Sequence, residues 1–422
     1  MKITLINTSD AGGGAPVACV RLLNALALQG VDAQLLVQHK QTDNERVTGI
    51  AKDFFSRLKA KITFLYERIP FILFHEKDKS VRFAFSTAKA GTSIVNEPLV
   101  RDADVLHIHW VNSGFLSTDN LKELIALGKP IVWTLHDMWD FTGGCHYSDT
   151  CDNFLRECGN CYLLRDAGPN DISHSGWLRK AAMYAGAKNV SFVTCSQWLA
   201  GVAKQSALLK NFKVQAIPNP IDTDIFSPQD KIASREKWGI NPFAKIILFG
   251  AANVNDKRKG LVYLLEALDI LKRDYPQSEF IEVVIFGKNK QFDVSLVPFR
   301  VYEFSMIKVQ EELAEVYSLA DVLVLPSLED NLPNTVMEAM ACGTPVVAFN
   351  TGGLPEMIDH QQNGYLAQFK SADELAEGAH ELLYAVNAKE MRLSARQKVL
   401  DSYSNEKIAQ QYMEVYKSLL NQ

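Results

Sequence analysis

The 422-residue chain predicts an α/β protein of two domains, each built on a doubly wound parallel sheet. Three observations predict it. Short apolar runs bounded by polar or turn residues recur along the whole length, the pattern of strands buried on both faces. Segments of helical periodicity lie between most of them, as in parallel sheets joined by helices. The length fits two domains of roughly 150 residues each plus connections.

Taken in order, the first half carries predicted strands at 2–7, 33–37, 105–107, 131–135, 192–195 and 214–217. The second half carries them at 246–249, 283–286, 299–302, 322–325 and 346–348. Helical patterns at 16–29, 261–273, 335–341 and 405–420 separate or follow them. The last has Ile408, Tyr412, Val415 and Leu419 at helical spacing. The break between domains falls at Ile217-Pro218-Asn219-Pro220-Ile221-Asp222, where two prolines force an extended path. The expected domains are therefore 1–222 and 223–404, followed by the final helix.

A hydrophobic content of 47% and a charged content of 22% describe an ordinary globular chain. The net charge of −5 argues against a general nucleic-acid binder. No apolar run reaches membrane-spanning length. The N-terminus enters a strand without a charged leader and apolar core, so a cytoplasmic location is expected, where stable disulfides are not the default.

The densest chemistry lies between Asp321 and Glu356. A strand ends at Pro326, a polar loop follows, and a helix runs to Ala341 before Gly343 stops it. A second strand then leads into Thr351-Gly352-Gly353-Leu354-Pro355-Glu356. Both loops follow strands, at the end of the sheet where open α/β folds bind ligands. Asn334 is expected to cap the helix, and the amides near residues 332–336 form an anion site at its positive end. Asp330 and Glu338 flank that end. Two carboxylates beside a row of amides suit a sugar that carries a diphosphate: the acids accept from hydroxyls, and the amides meet phosphates. Capped helices with solvated acids are common, but here Pro333-Asn334-Thr335, Glu338, Gly343-Thr344-Pro345 and Gly352-Gly353 occur together.

This segment resembles the nucleotide-binding signature of the retaining glycosyltransferases of family 4, which have the GT-B fold. There, an acid and a Glu flank seven residues, as Asp330 and Glu338 do here around NLPNTVM. Either Glu329 or Asp330 supplies the first acid, and the spacing favours Asp330. The resemblance implies a GT-B protein, two Rossmann-like domains facing a cleft, with the acceptor side in 1–222 and the nucleotide-sugar donor in 223–404. It also implies that the last helix, 405–420, crosses back to the first domain. Asp330 with Asn331, Leu332, Pro333 and Asn334 would meet the donor sugar and phosphates, and Glu338 the ribose.

Two further loops fit. Ser9 to Pro16 holds Gly12-Gly13-Gly14 between a strand and a helix, with Pro16 suited to a first helical position. Val17 stands where a dinucleotide fingerprint needs its third glycine, so a plain tight turn is the alternative. By resemblance, Gly13 and Gly14 approach the donor phosphates or the acceptor. The loop Gly250 to Gly260 carries Lys257-Arg258-Lys259. Fixed cations there can stabilise a leaving diphosphate without a catalytic metal. Lys259-Gly260 fits the family's Lys-Gly; Ala251-Ala252 stands where the family has an Arg, and Arg258 is the candidate replacement. A solvated basic turn is the alternative.

His136 ends a strand and, by resemblance, bonds a donor sugar hydroxyl rather than relaying a proton. His109 ends the preceding strand and is a candidate for the acceptor side. Ser196 follows another strand and is read as a helix cap. Cys145, Cys151, Cys158 and Cys161 have the count of a tetrahedral zinc site, with two disulfides or free thiols as alternatives. Cys19, Cys195 and Cys342 read as core.

Residues 52–82 hold eight Lys/Arg and four acids, a net of +4, with Phe54, Phe55, Leu58, Ile62 and Leu65 at helical spacing. Two readings are open: a basic amphipathic helix on an anionic membrane, or a core-facing helix with a solvated basic side.

The resemblance therefore implies a retaining glycosyltransferase, expected in the cytoplasm, and at the inner face of the membrane if residues 52–82 form the membrane-lying helix. It would pass a sugar from a UDP- or GDP-linked donor to a glycan or lipid-linked glycan in cell-surface polysaccharide synthesis. The rivals are a nucleotide-sugar epimerase of similar fold and a catalytically silent glycan- or nucleotide-binding partner.

Overall fold

Strands rich in Val, Ile and Leu, buried on both faces, need helices on both sides, and the chain supplies them in alternation. The structure is a computed structural model that describes residues 1–253, 256–288 and 292–421. The chain forms two units: Met1–Asn219 with the residues from Ile408 onward, and Pro220–Lys407.

The first unit runs β1 (Lys2–Ser9), α1 (Gly14–Leu28), β2 (Asp32–His39), β3 (Val47–Gly49), α2 (Phe54–Pro70), α3 (Pro98–Asp102), β4 (Val105–Ile108), α4 (Thr118–Ala126), β5 (Ile131–Leu135), α5 (Ile172–Tyr184), β6 (Val190–Thr194), α6 (Gln197–Gln205) and β7 (Val214–Ala216). Its parallel sheet has the order β3-β2-β1-β4-β5-β6-β7. Alternation along β1 sorts the core: Ile6 packs on one face with Leu106 and Ile108, while Ile3 and Leu5 pack on the other with Leu22 and Leu26.

The second unit runs α7 (Lys231–Lys237), β8 (Lys245–Asn253), α8 (Leu261–Asp274), β9 (Ile281–Lys288), β10 (Arg300–Phe304), α9 (Gln310–Leu319), β11 (Val322–Leu325), α10 (Asn334–Ala341), β12 (Val346–Phe349), α11 (Leu354–Met357), β13 (Gly364–Ala367), α12 (Ala372–Leu383) and α13 (Ala388–Tyr403). Its parallel sheet has the order β10-β9-β8-β11-β12-β13. Helices α8 and α12 cover one face through Leu264, Leu268, Leu375 and Ala379.

Helix α14 (Asn405–Leu420) closes the chain. Its Ile408, Tyr412, Val415 and Tyr416 complete the first unit's core beside α1. Tyr416 Oη lies 2.7 Å from His107 Nδ1, and Tyr412 Oη lies 3.0 Å from Thr134 Oγ1.

The strands lie where the apolar runs predict them, often extended by one to three residues. The edge strands β3 and β13 have no such run. Helix α1 begins at Gly14, so Pro16 is its third residue rather than its first. Among the described residues, no helix is long and apolar enough to cross a membrane.

Candidate functional site

Each sheet reverses its strand order at one point: between β1 and β4 in the first unit, and between β8 and β11 in the second. The loops leaving the carboxyl ends of these strands carry most of the candidate residues, and such crevices are where this class of sheet binds ligands.

In the second unit, the loop after β8 ends in a short turn, Lys257–Lys259. Val254 and Asn255, part of the basic loop read from sequence, lie outside the described residues. Gly260 closes the turn at φ 69°, and a Cβ there would sit 1.8 Å from the Pro326 carbonyl oxygen. Only glycine allows that approach, and it brings the basic turn against the loop after β11. Leu328 N donates to the Arg258 carbonyl at 2.7 Å. Lys259 Nζ then donates to Asp330 Oδ2 at 2.6 Å. Arg258 turns instead to Asp256, with Nη2 2.8 Å from Oδ2.

Asp330 is held by its backbone as well. Its carbonyl accepts from Gly353 N at 3.1 Å. Gly352, at φ 59°, lies so close that a Cβ would sit 2.1 Å from the same oxygen. The glycine pair after β12 thus fixes the acid after β11. Asn331, Leu332 and Pro333 are buried, and Asn334 and Thr335 are half-buried.

Asn334 is the first residue of α10, not its cap. Pro333 holds the cap position and makes no side-chain cap bond. An asparagine caps only from the extended conformation that precedes a helix, and here Pro333 has that backbone, at φ −68° and ψ 122°. Glu338, on the next turn, is 5% exposed. Tyr317 Oη on α9 donates to its Oε2 at 2.7 Å. Tyr317 carries no sequence signal beyond its place on a helix.

In the first unit, Gly13 holds the cap position of α1 and Gly14 is its first residue, both exposed. Asp10 anchors the turn that precedes them, accepting from Gln41 N at 2.7 Å and Thr42 N at 3.0 Å. His136 follows β5 and His109 follows β4. His136 Nε2 lies 3.0 Å from His109 Nδ1, and His136 Nδ1 lies 3.6 Å from Cys195 Sγ. Burial pushes His136 down to about 4, against a smaller pull upward from Asp137. It pushes His107 down to about 3 and His109 well below its usual range. All three are neutral imidazoles near pH 7. Ser196 caps α6 by accepting from Leu199 N at 3.0 Å.

The four clustered cysteines, candidates for a zinc site, two disulfides or free thiols, sit in one region of the first unit. Cys145 and Cys161 enter an apolar cluster with Phe71, Phe85 and Ile172. Cys158 enters the main core, and Cys151 is half-buried. Among the described residues, no three His, Cys, Asp or Glu gather as a metal's ligand set would. All seven cysteines are free thiols. Desolvation pushes Cys158 up to about 11 and Cys161 to about 12. The buried Lys180 ammonium stands close by, bonded to the Trp139 and Thr142 carbonyls. Cys19, Cys195 and Cys342 are buried as expected.

Comparison with known proteins agrees with this geometry. Residues 12–225 match Glycosyltransferase Family 4, and residues 244–384 match Glycosyl transferases group 1. An uncharacterized glycosyltransferase of Methanocaldococcus jannaschii is 32% identical over 74% of this chain and 75% of its own length. A glycosyl transferase of Escherichia coli named for colanic acid biosynthesis is 25% identical over 99% of this chain and 100% of its own. The crystal structure of the Anabaena protein HepE in complex with UDP and glucose covers 99% of this chain and 100% of its own, at 16% identity and a TM-score of 0.65.

Proposed function

The chain belongs to glycosyltransferase family 4, and from that premise we propose that it moves a hexose from a UDP- or GDP-linked donor to a glycan or lipid-linked glycan, with retention at the anomeric carbon. The fold is GT-B, and the activity is that of a glycosyltransferase drawing on a nucleotide-sugar donor. The Lys259–Asp330 pair at the strand-order reversal of the second sheet is the observation that carries the finer reading.

An ammonium and a carboxylate in contact at 2.6 Å, both only partly exposed, keep each other solvated in the free protein. A donor supplies each with a better partner. The diphosphate takes Lys259, and sugar hydroxyls donate to Asp330. As the bond from the anomeric carbon to the diphosphate breaks, negative charge grows on the leaving oxygen. Lys259, Arg258 and the positive end of α10 stabilise it without reorganising. The loop Asn331–Asn334 shapes the sugar and phosphate pocket.

Glu338 accepts from the ribose hydroxyls. Tyr317 donates to its Oε2 and orients the carboxylate. His136, a neutral imidazole, bonds a sugar hydroxyl rather than supplying a proton. Gly13 and Gly14, at the start of α1, let phosphate or acceptor oxygens approach the backbone closely. UDP is supported by its presence in the HepE complex. Cell-surface glycan synthesis is supported by the Escherichia coli relative. The proposal locates the reaction in the cytoplasm, at the inner face of the membrane.

A thermal-shift panel of UDP- and GDP-sugars tests this, followed by donor hydrolysis with the hits. Stabilisation by one nucleotide class, lost in Glu338→Ala, is the expected result. No stabilisation by any member, together with full transfer activity in both Glu338→Ala and Asp330→Ala, overturns the site.

A further inference from the structure

Helix α2 is built inside out. Its amino end is well formed: Asp53 Oδ1 accepts from Ser56 N at 2.9 Å, and Ser56 Oγ accepts from Asp53 N. Its inner side is polar. Glu67 is 2% exposed and accepts from the backbone amides of Gly114 and Ala88. Arg68, also buried, donates to the carbonyls of Arg82 and Phe85 and to Ser86. Gly114 lies directly against the backbone of Thr63 and Phe64. Helix α2 is thus fixed to the loop after β4 through charged hydrogen bonds and close backbone contact.

Its outer side is apolar. Phe54, Phe55, Leu58, Ile62, Leu65 and Ile69 are all exposed, Phe54 at 72% and Phe55 at 80%. At 3.6 residues per turn they fall within a stripe about 100° wide. Lys59 flanks the stripe on one side, and Arg57 and Lys61 flank it on the other. Just beyond the helix, Leu73 and Phe74 continue the apolar surface, and Lys77 and Lys79 continue the basic one.

The charges sort with the faces. Glu67, Glu76, Arg68 and Arg82 are buried or half-buried and cancel, with Arg82 Nη2 3.0 Å from Glu76 Oε1. Outside stand six exposed cations, Lys52, Arg57, Lys59, Lys61, Lys77 and Lys79, against two exposed acids, Asp53 and Asp78. The outward net charge is +4, on a chain whose total is −5.

We propose that the outer face of α2 is a docking surface for an anionic lipid bilayer, its apolar stripe buried at the headgroup boundary and its flanking lysines and arginines on lipid phosphates. A helix that buries Glu67 and Arg68 while exposing six large apolar side chains in one stripe presents a patch of the kind that marks an interaction surface. Cations on both edges of the stripe match a surface of diffuse negative charge. The bilayer holds the first unit through the same loop, after β4, that leads from the strand end bearing His109. The inference uses only this unit's surface and stands apart from the donor-site reading.

Co-sedimentation of the full chain with vesicles tests it, comparing phosphatidylcholine alone with phosphatidylcholine containing about 30 mol% phosphatidylglycerol. The chain is expected to pellet with the anionic vesicles and to be released as salt rises. Phe55→Ser with Ile62→Ser should weaken binding at least about tenfold. Lys59→Glu with Lys61→Glu should weaken it at least about fivefold for each charge. All four side chains are exposed, so both variants should melt with the parent and keep its donor-induced thermal shift, which separates this test from that of the donor site. Equal binding to neutral vesicles, or undiminished binding in both variants, overturns the proposal. So does a concentration-dependent dimer that Phe55→Ser abolishes, since a second copy would then be the occupant.

Discussion

Tyr317 Oη donates to Glu338 Oε2 at 2.7 Å, from α9 to the second turn of α10. The bond orients a nearly buried carboxylate. Tyr317→Phe keeps the packing and removes the bond. Hydrogen bonds to charged groups are worth about 1.5–3 kcal/mol, so a stability loss near the lower end and a several-fold weaker donor Kd are expected. Glu338→Ala should weaken the donor more than about tenfold, the loss expected when a ligand's hydroxyls have no acceptor. Titration calorimetry with UDP and GDP reads both. Equal affinity in parent and Glu338→Ala would remove the ribose assignment.

Lys259 Nζ lies 2.6 Å from Asp330 Oδ2, a pair that the proposed donor would separate. Lys259→Ala should lower kcat by about a hundredfold, as loss of a fixed group facing a developing negative charge does, while lowering donor affinity less. Asp330→Ala should lose turnover and retain UDP or GDP, because the nucleotide's contacts lie elsewhere. Steady-state kinetics with a fixed acceptor separates the two effects. A Lys259→Ala enzyme with unchanged kcat would leave the cation without its role.

The three buried histidines make stability depend on pH, with a definite sign. In the unfolded chain they take up protons near 6.5; in the folded chain burial holds His136 near 4 and His107 near 3. Between those values the unfolded state binds more protons, so the stability present above pH 6.5 falls as the pH falls. The loss for His136 is on the order of 3 kcal/mol by pH 4. Denaturant titrations at pH 7.5, 6, 5 and 4.5 should show the decline, and His136→Gln should flatten it. A flat profile in the parent would contradict the burial of these rings.

The cysteine loop should behave as protonated thiols in packing. Cys151 is the one of the four that is half-buried, and it should react first with a disulfide reagent at pH 8, with the other three slow until unfolding. A strong chelator should leave the melting temperature unchanged. Stoichiometric zinc in the purified protein, lost together with stability on chelation, would establish the tetrahedral reading.

Much of this was legible in the sequence, for identifiable reasons. Strands buried on both faces write themselves as apolar runs, so β5 and β11 match their predicted bounds. β3 and β13 lie at sheet edges, where short pairings need few apolar residues. The Asp330 and Glu338 spacing was visible because a loop and a helix start fix it locally. Tyr317 and the His109–His136 contact were not, since each joins residues that only the tertiary fold brings together. For α2 the periodicity showed a stripe but not its direction. The structure removes the core-facing reading, because Glu67 and Arg68 take the inner side. Asn334 was misplaced by one residue, since Pro333 has the extended backbone that a cap requires.

Helix α14 returns to the first unit after the whole second unit has been made. During synthesis the amino-terminal half therefore waits, missing Ile408, Tyr412 and Tyr416 from its core, until residues 405–420 have been made. The second unit, whose residues are continuous, can finish first. A chain cut just before Ile408 would keep the later unit whole and leave the earlier one without part of its core.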